Sequence, residues 1–261
     1  MNVLVSTISY VNTVKEGSEI YTTFAKRLAN DVKTKTPYDI CINTNRKDLF
    51  EEDERVKVRD EFFKDHVTHV GAFNQLLKFS ALQQIDKKYD WLLYLDCDAG
   101  FTKAIDLEKV NEYLLRIDSE GIDMVANRTN CTFESCLEEF NKSTNYGTDF
   151  SYQKTQKRLF DDKYRFYGVR QEWAGAKFPS EHFLLIRNND KLQNMADNFE
   201  KLCYEFETQD KTYPVTFDME AFEIGVAAKL AGYNMQEACG YFYGHHLNIG
   251  FNFNNFEKIK I

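Results

Sequence analysis

Trp91-Leu92-Leu93-Tyr94-Leu95, followed at once by Asp96-Cys97-Asp98-Ala99-Gly100-Phe101, is the stretch on which the fold turns. An unbroken apolar run without polar alternation is the pattern of a central strand buried on both faces, as in a parallel sheet covered by helices. The run ends in two acids. A carboxylate buried without a partner is costly, so acids that close a core strand need a counter-charge, a donor or an opening to solvent. In open α/β sheets the carboxyl ends of the strands face the ligand crevice. Side chains two apart in an extended chain project the same way, so Asp96 and Asp98 converge, and do so more closely if the chain bends after Leu95. Two hard oxygen ligands at that place suit Mn²⁺ or Mg²⁺, which keep coordination positions open for substrate phosphates.

Outward from this strand, hydrophobic period lays out an alternating order. Val3 to Ile8 reads as a first strand running into Ser9-Tyr10-Val11-Asn12, and Glu19 to Val32 as a helix with Ile20, Phe24, Leu28 and Val32 on one side. Pro37 breaks the chain before a second strand, Tyr38 to Asn43, so the opening segment has the length of a βαβ unit with parallel strands. Arg55 to Arg59 reads as a short third strand. Asn74 to Ile85 reads as a helix with Leu76, Leu77, Leu82 and Ile85 as its apolar set. Past the acids come a helix over Leu107 to Ile117 and a strand over Asp123 to Ala126. A polar, aromatic and irregular insertion over Thr132 to Lys163 follows. Glu181 to Arg187 (strand), Lys191 to Thr208 (helix) and Met219 to Ala231 (helix) complete the order, before an aromatic, Asn-rich tail from Gly240. There is no internal repeat and no low-complexity linker.

The chain has 261 residues, enough for a full hydrophobic core, and a composition of 43% hydrophobic and 28% charged residues excludes wholesale disorder. A net charge of −8 argues against holding a polyanion non-specifically, since Lys and Arg supply most of that affinity. The aromatic content of 15%, with only 3 Pro, is a bias of the kind an AT-rich coding genome produces. The six cysteines form no C-x-x-C pair and read as reduced thiols of a cytoplasmic protein. Met1 to Ser6 lacks the features of a signal peptide, and no window has the apolar length of a membrane span. His66-Val67-Thr68-His69 has metal-like spacing but no surrounding ligand cage, and is assigned a structural role.

Asp-x-Asp alone is a common tripeptide. Flanked as it is here, Trp91 to Phe101 resembles the Asp-x-Asp segment of GT-A glycosyltransferases, and is especially similar to the galactosyl and xylosyl transferases in which a Trp-rich strand precedes Asp-x-Asp-Ala. The resemblance implies an α/β chain of GT-A type, Rossmann-like, with a mostly parallel central sheet flanked by helices. Residues 1–105 would form a nucleotide-sugar half and residues 106–261 an elaborated acceptor half of one domain. It further implies a transferase acting, with retention, on a nucleoside-diphosphate sugar (a UDP-sugar favoured). Mn²⁺ or Mg²⁺ at Asp96 and Asp98 would bridge the diphosphate, with Cys97 in the variable middle position. A late histidine completes such a metal site, and Gly244-His245-His246 offers His245, or else His246. The longer His-x-x-Gly-x-x-Lys pattern of one such family is absent.

By the same analogy Asp218 and Glu220, in Thr216 to Phe222, are the acids facing the donor sugar and the reaction centre. Thr7, Ile8, Ser9 and Tyr10 at the first strand's end, with Asn43, Thr44, Asn45 and Arg46 at the second's, would receive base and ribose. Lys78, with Asn74 at the entry of its helix, would lie near the diphosphate. In Glu172-Trp173-Ala174-Gly175-Ala176, Trp173 offers a stacking face and Gly175 allows close approach of a sugar. The acceptor stays open between a glycan, in bacterial or viral surface assembly, and a hydroxymethylated base in phage DNA. A metal-dependent nucleotidyltransferase acting on sugar phosphates is the rival reading. It wants a Gly-rich phosphate loop, and Gly17 is the only glycine in the first seventy residues.

Overall fold

The structure is a computed structural model that describes residues 1–11, 19–60, 79–127, 129–130, 132, 134–135, 138, 173–177, 179–180, 182–207, 220–238 and 247–251. The chain is α/β. Its main sheet has seven strands in the order β3-β2-β1-β4-β7-β6-β8. In residues these are β1 (Val3–Ser9), β2 (Asp39–Thr44), β3 (Val56–Arg59), β4 (Trp91–Leu95), β6 (Met124–Ala126), β7 (Phe183–Arg187) and β8 (Met235–Glu237). Strands β1 to β4 pair in parallel, and so do β6 and β8; β7 alone runs the other way, antiparallel to both β4 and β6. A second, two-stranded antiparallel sheet joins β5 (Ala99–Phe101) to β9 (Ile249–Phe251).

Strand β4 is buried along its whole length, as its unbroken apolar run requires. Trp91, Leu93 and Leu95 pack in one core with Phe24, Leu28 and Val32 of α1 (Ile20–Lys35) and Val110, Leu114 and Ile117 of α2 (Leu107–Ser119). Leu92 and Tyr94 pack in the other. There they meet Leu192, Met195 and Phe199 of α3 (Lys191–Glu207) and Phe222, Ile224 and Val226 of α4 (Glu220–Leu230). Helices therefore cover both faces of the sheet. The alternation persists beyond the strand, for Cys97, Ala99 and Phe101 stay in the α1–α2 core.

Helix α2 starts on Asp106, whose carboxylate accepts from Lys109 N–H at 3.3 Å. Helix α4 is apolar nearly all round, the pattern of a buried helix. The buried Asp123, before β6, is held by Lys191 (2.7 Å), Asn189 (2.8 Å) and Asn234 N–H (3.0 Å), which ties α3 and β8 to the sheet.

Of the helix expected over Asn74 to Ile85, residues 74–78 lie outside the described residues, and the described remainder needs correction. Phe79–Leu82 is a short 3-10 helix, and the chain turns after it, with Gln84 at φ +50°. Ser6 Oγ donates to Ala81 O (3.0 Å), and Arg59 donates to Gln83 O (2.8 Å), so strand ends take up carbonyls that a longer helix would have used itself. Strands β5, β8 and β9, three residues each, went unread because so short a segment has no legible period. Most of the insertion over 132–163 lies outside the described residues.

Gly225 marks where α4 presses closest on its neighbours. A Cβ there would sit 2.0 Å from the carbonyl oxygen of Lys177 and 3.2 Å from Pro179 Cδ. Because the obstacle is backbone, Gly225→Ala should destabilise the protein by about 2–3 kcal/mol or more, the upper end for overpacking. A lowered urea midpoint at unchanged m-value would show it; wild-type stability would mean that α4 is free to shift.

Candidate functional site

Two strand ends meet where the sheet reverses its direction of growth. From β1 the chain adds β2 and then β3 on one side, and later β4 on the other, so the topological switch point lies between β1 and β4. Ligands of open α/β sheets bind at such a point, beyond the strand carboxyl ends. There β4 presents Asp96 and Asp98, and β1 presents Thr7, Ile8, Ser9 and Tyr10.

After Leu95 the chain bends in a turn closed by the Ala99 N–H to Asp96 O bond (2.9 Å). The Asp96 carboxylate is held on both oxygens: Oδ1 accepts from the Tyr94 hydroxyl at 2.7 Å, and Oδ2 lies 2.5 Å from His182 Nδ1. Antiparallel pairing puts His182 there. The register Leu95↔Phe183 continues one step into an Asp96 N–H to His182 O bond of 3.2 Å. Parallel pairing would have sent His182 to the other end of β4.

Asp98 is different. Among the described residues its carboxylate has no side-chain partner within hydrogen-bond or ion-pair distance. Burial first, and then the charge of Asp96, raise its pKa above the ordinary carboxylate value, with His182 and Arg27 opposing. Two carboxylates at a strand end, near enough for the charge of Asp96 to raise the pKa of Asp98, are a donor set that a divalent cation would relieve. The residues present therefore fit Mn²⁺ or Mg²⁺. Among the described residues no group of three or more His, Cys, Asp and Glu side chains is placed to hold a metal ion. Cys97 turns into the core at 7% exposure, where burial, and then Asp96 and Asp98, push its thiol well above the usual range and keep it protonated.

On β1, Thr7 and Ser9 are fully buried, and among the described residues neither hydroxyl has a hydrogen-bond partner. Unmet buried hydroxyls cost roughly 1–3 kcal/mol each. Ile8 packs on the α3–α4 core, and half-buried Tyr10 has its phenol pKa raised by burial. The second strand's end is occupied internally. Asn43 is fully buried, donating to Ser6 Oγ and Thr7 O and accepting from Arg59 at 2.8 and 3.0 Å. Thr44 Oγ1 accepts from Arg46 N–H, and Asn45 clasps both backbone groups of Val11 at 2.9 Å. Arg46 pairs with Asp48 at 2.8 Å. These residues brace the β1 and β2 ends against each other.

Trp173 is buried, its ring edge-on to Phe222 with centroids 6.4 Å apart. Its face is taken up by the core. Gly175 is exposed at φ +72°, its N–H directed to Glu134 (3.3 Å). Asn74, Lys78, Asp218, His245 and His246 lie outside the described residues, and Glu220 is the first residue of α4.

Sequence reasoning missed His182, Tyr94 and Arg27. A polar His182 placed just before the apolar run Phe183–Ile186 mirrors Asp96 placed just after Trp91–Leu95. That symmetry was a usable signal only with the strand direction known.

Asp98 has a folded-state pKa above its unfolded value, so its ionisation on raising the pH works against the fold. The cost is absent below the unfolded pKa and is fully present once the pH exceeds the folded one. In chelator, Asp98→Asn should therefore raise the melting temperature at pH 7 and do so less at pH 4. An Asn variant that melts lower at neutral pH would show that the charged form is stabilised by a partner instead.

No protein-family model matches the chain, and no curated protein is detectably similar to it, so the reading of the site rests on its geometry.

Proposed function

We propose that the protein is a divalent-metal-dependent glycosyltransferase that transfers a sugar from a nucleoside-diphosphate sugar, a UDP-sugar in the first instance, to an acceptor hydroxyl. The observation that supports it most is the half-buried Asp98, without a side-chain partner among the described residues, beside Asp96 at the switch point of a mostly parallel sheet. A strand end with two acids and, among the described residues, no lysine or arginine paired to them would be relieved by a cation, and the carboxyl ends of β1 and β4 are where a phosphate-bearing ligand would bring one. Mn²⁺ or Mg²⁺, when bound, neutralises the charge that develops on the leaving nucleoside diphosphate.

The chain's own groups do the rest. Asp96 and Asp98 would hold the cation, with Tyr94 and His182 fixing the orientation of Asp96 so that its lone pairs are presented in one geometry. His245 or His246 is proposed as the further ligand. The buried Thr7 and Ser9 hydroxyls lie at the β1 end, where base and ribose would be received. Asp218 and Glu220, leading into α4, are proposed to face the sugar, orienting its hydroxyls or stabilising oxocarbenium-like charge.

The acceptor favoured is a glycan, because a net charge of −8 opposes a polyanion; a hydroxymethylated DNA base is the second choice. No helix among the described residues is long and apolar enough to cross a membrane.

Incubating the protein with a panel of UDP-sugars and Mn²⁺ should release UDP slowly, even without acceptor. The release should cease in EDTA and fall at least 100-fold in Asp98→Asn, as expected when a metal's charge stabilisation is removed. Pyrophosphate release from a nucleoside triphosphate and a sugar phosphate, with no UDP formed from any donor, would replace the glycosyltransferase reading with nucleotidyl transfer.

A further inference from the structure

Helix α1 carries two stripes. Phe24, Ala25, Leu28, Ala29 and Val32 face the sheet, and beside them Arg27, Asp31 and Lys35 repeat every four residues along one edge of the helix. All three of these polar side chains end on the backbone of the segment that follows the acids. Arg27 Nη2 donates to Asp98 O at 2.7 Å and to Ala99 O at 3.4 Å. Asp31 Oδ2 accepts from Phe101 N–H at 3.1 Å, and Lys35 Nζ donates to Phe101 O while pairing with Asp31 at 2.6 Å.

Strand β5 therefore has β9 along one edge and the side chains of a helix in place of a strand along the other. Backbone groups at an open strand edge must be met by something, and here a guanidinium, a carboxylate and an ammonium meet them. The approach is close: a Cβ at Gly100 would lie 2.8 Å from Asp31 Oδ2, so the Asp31 carboxylate would have to shift to admit one.

Arg27 is the member of this stripe nearest the acids. Its guanidinium lies over the Phe24 ring, 5.3 Å from the centroid, which fixes its long stem. Among the described residues it meets no carboxylate within ion-pair distance, and spends its donors on carbonyls instead. The carbonyl it grips most closely belongs to Asp98 itself. The 2.7 Å bond holds in place the backbone from which the Asp98 side chain projects.

We propose that Arg27 is a positioning residue of the Asp96–Asp98 turn, setting from α1 the aim of the Asp98 carboxylate and hence the affinity of the pair for a divalent cation. This rests on the metal-binding reading of the two aspartates. Arg27 touches neither substrate nor cation in this scheme; it acts through the backbone of Asp98. It also places positive charge beside the turn without neutralising either acid.

The test is Mn²⁺ binding to the full chain, followed by the electron paramagnetic resonance of free Mn²⁺, with a thermal melt of each variant alongside. Outer-shell groups that orient metal ligands are worth roughly 10–100-fold in affinity, so Arg27→Ala should weaken Mn²⁺ binding by that factor. Lys35→Ala, which frees the far end of the stripe, should lower the melting temperature while leaving Mn²⁺ affinity within about threefold of wild type, well below that range. Arg27→Lys, which keeps a stem and a cation but loses the planar fork, should fall between; it decides the matter if Arg27→Ala does not fold. Wild-type Mn²⁺ affinity in a folded Arg27 variant would overturn the positioning role and leave the metal site standing. Asp98→Asn separates the two: if it binds Mn²⁺ as wild type does, the metal reading falls and the proposal with it.

Discussion

Everything at the candidate site follows from the complete enclosure of β4. The strand is paired on both edges, by β1 and β7, and covered on both faces by helices, so none of its five side chains meets water. Fully burying large apolar side chains contributes roughly 1.5–3 kcal/mol each, which makes the strand's position the most firmly determined feature of the sheet. A strand so enclosed has a definite last residue. The next side chains, Asp96 and Asp98, emerge at the one place where the sheet opens, and they do so together because the chain turns there at once.

The arrangement is electrostatically uncomfortable, and the discomfort is uneven. Asp96 is satisfied on both oxygens by Tyr94 and His182, two groups drawn from strands that run in opposite directions. Asp98 receives no such help and carries the cost of burial and of its neighbour's charge. A protein that keeps a carboxylate in that condition gives up stability, and sites of that kind are characteristic of ligand binding and catalysis. Thr7 and Ser9, buried with unmet hydroxyls across the switch point, extend the same pattern to β1. Polar groups with no partner among the described residues thus gather at the carboxyl ends of two adjacent strands.

The turn is braced from outside the main sheet as well. On one edge of β5 stands α1 with its polar stripe; on the other stands β9, contributed by residues near the chain's end. Asn248, in the left-handed region at φ +52°, fixes the entry to β9. Its carbonyl accepts from Thr102 N–H and Oγ1, and its side chain donates to Ala104 O. First helix, central strand and tail converge on a few residues of backbone.

The amino-acid sequence by itself determined the elements with strong periods or unbroken apolar runs. The first two strands, the first helix, Trp91–Leu95 and the helix from Leu107 lie where the pattern of Phe24, Leu28 and Val32, or of Val110, Leu114 and Ile117, puts them. It also determined that Asp96 and Asp98 stand at a strand end, because local hydrophobicity stops there. The tertiary structure decided what local pattern does not encode: pairing direction and contacts between residues far apart in the chain. An apolar run such as Phe183–Ile186 reads the same in either direction, yet only antiparallel pairing brings His182 to Asp96, 86 residues away. Likewise nothing in the spacing of Arg27, Asp31 and Lys35 shows that β5 is laid against them, or that the side chains of Asn43 and Trp173 are buried. Period fixes which side of an element is apolar; which polar group it will meet depends on where the rest of the chain is folded.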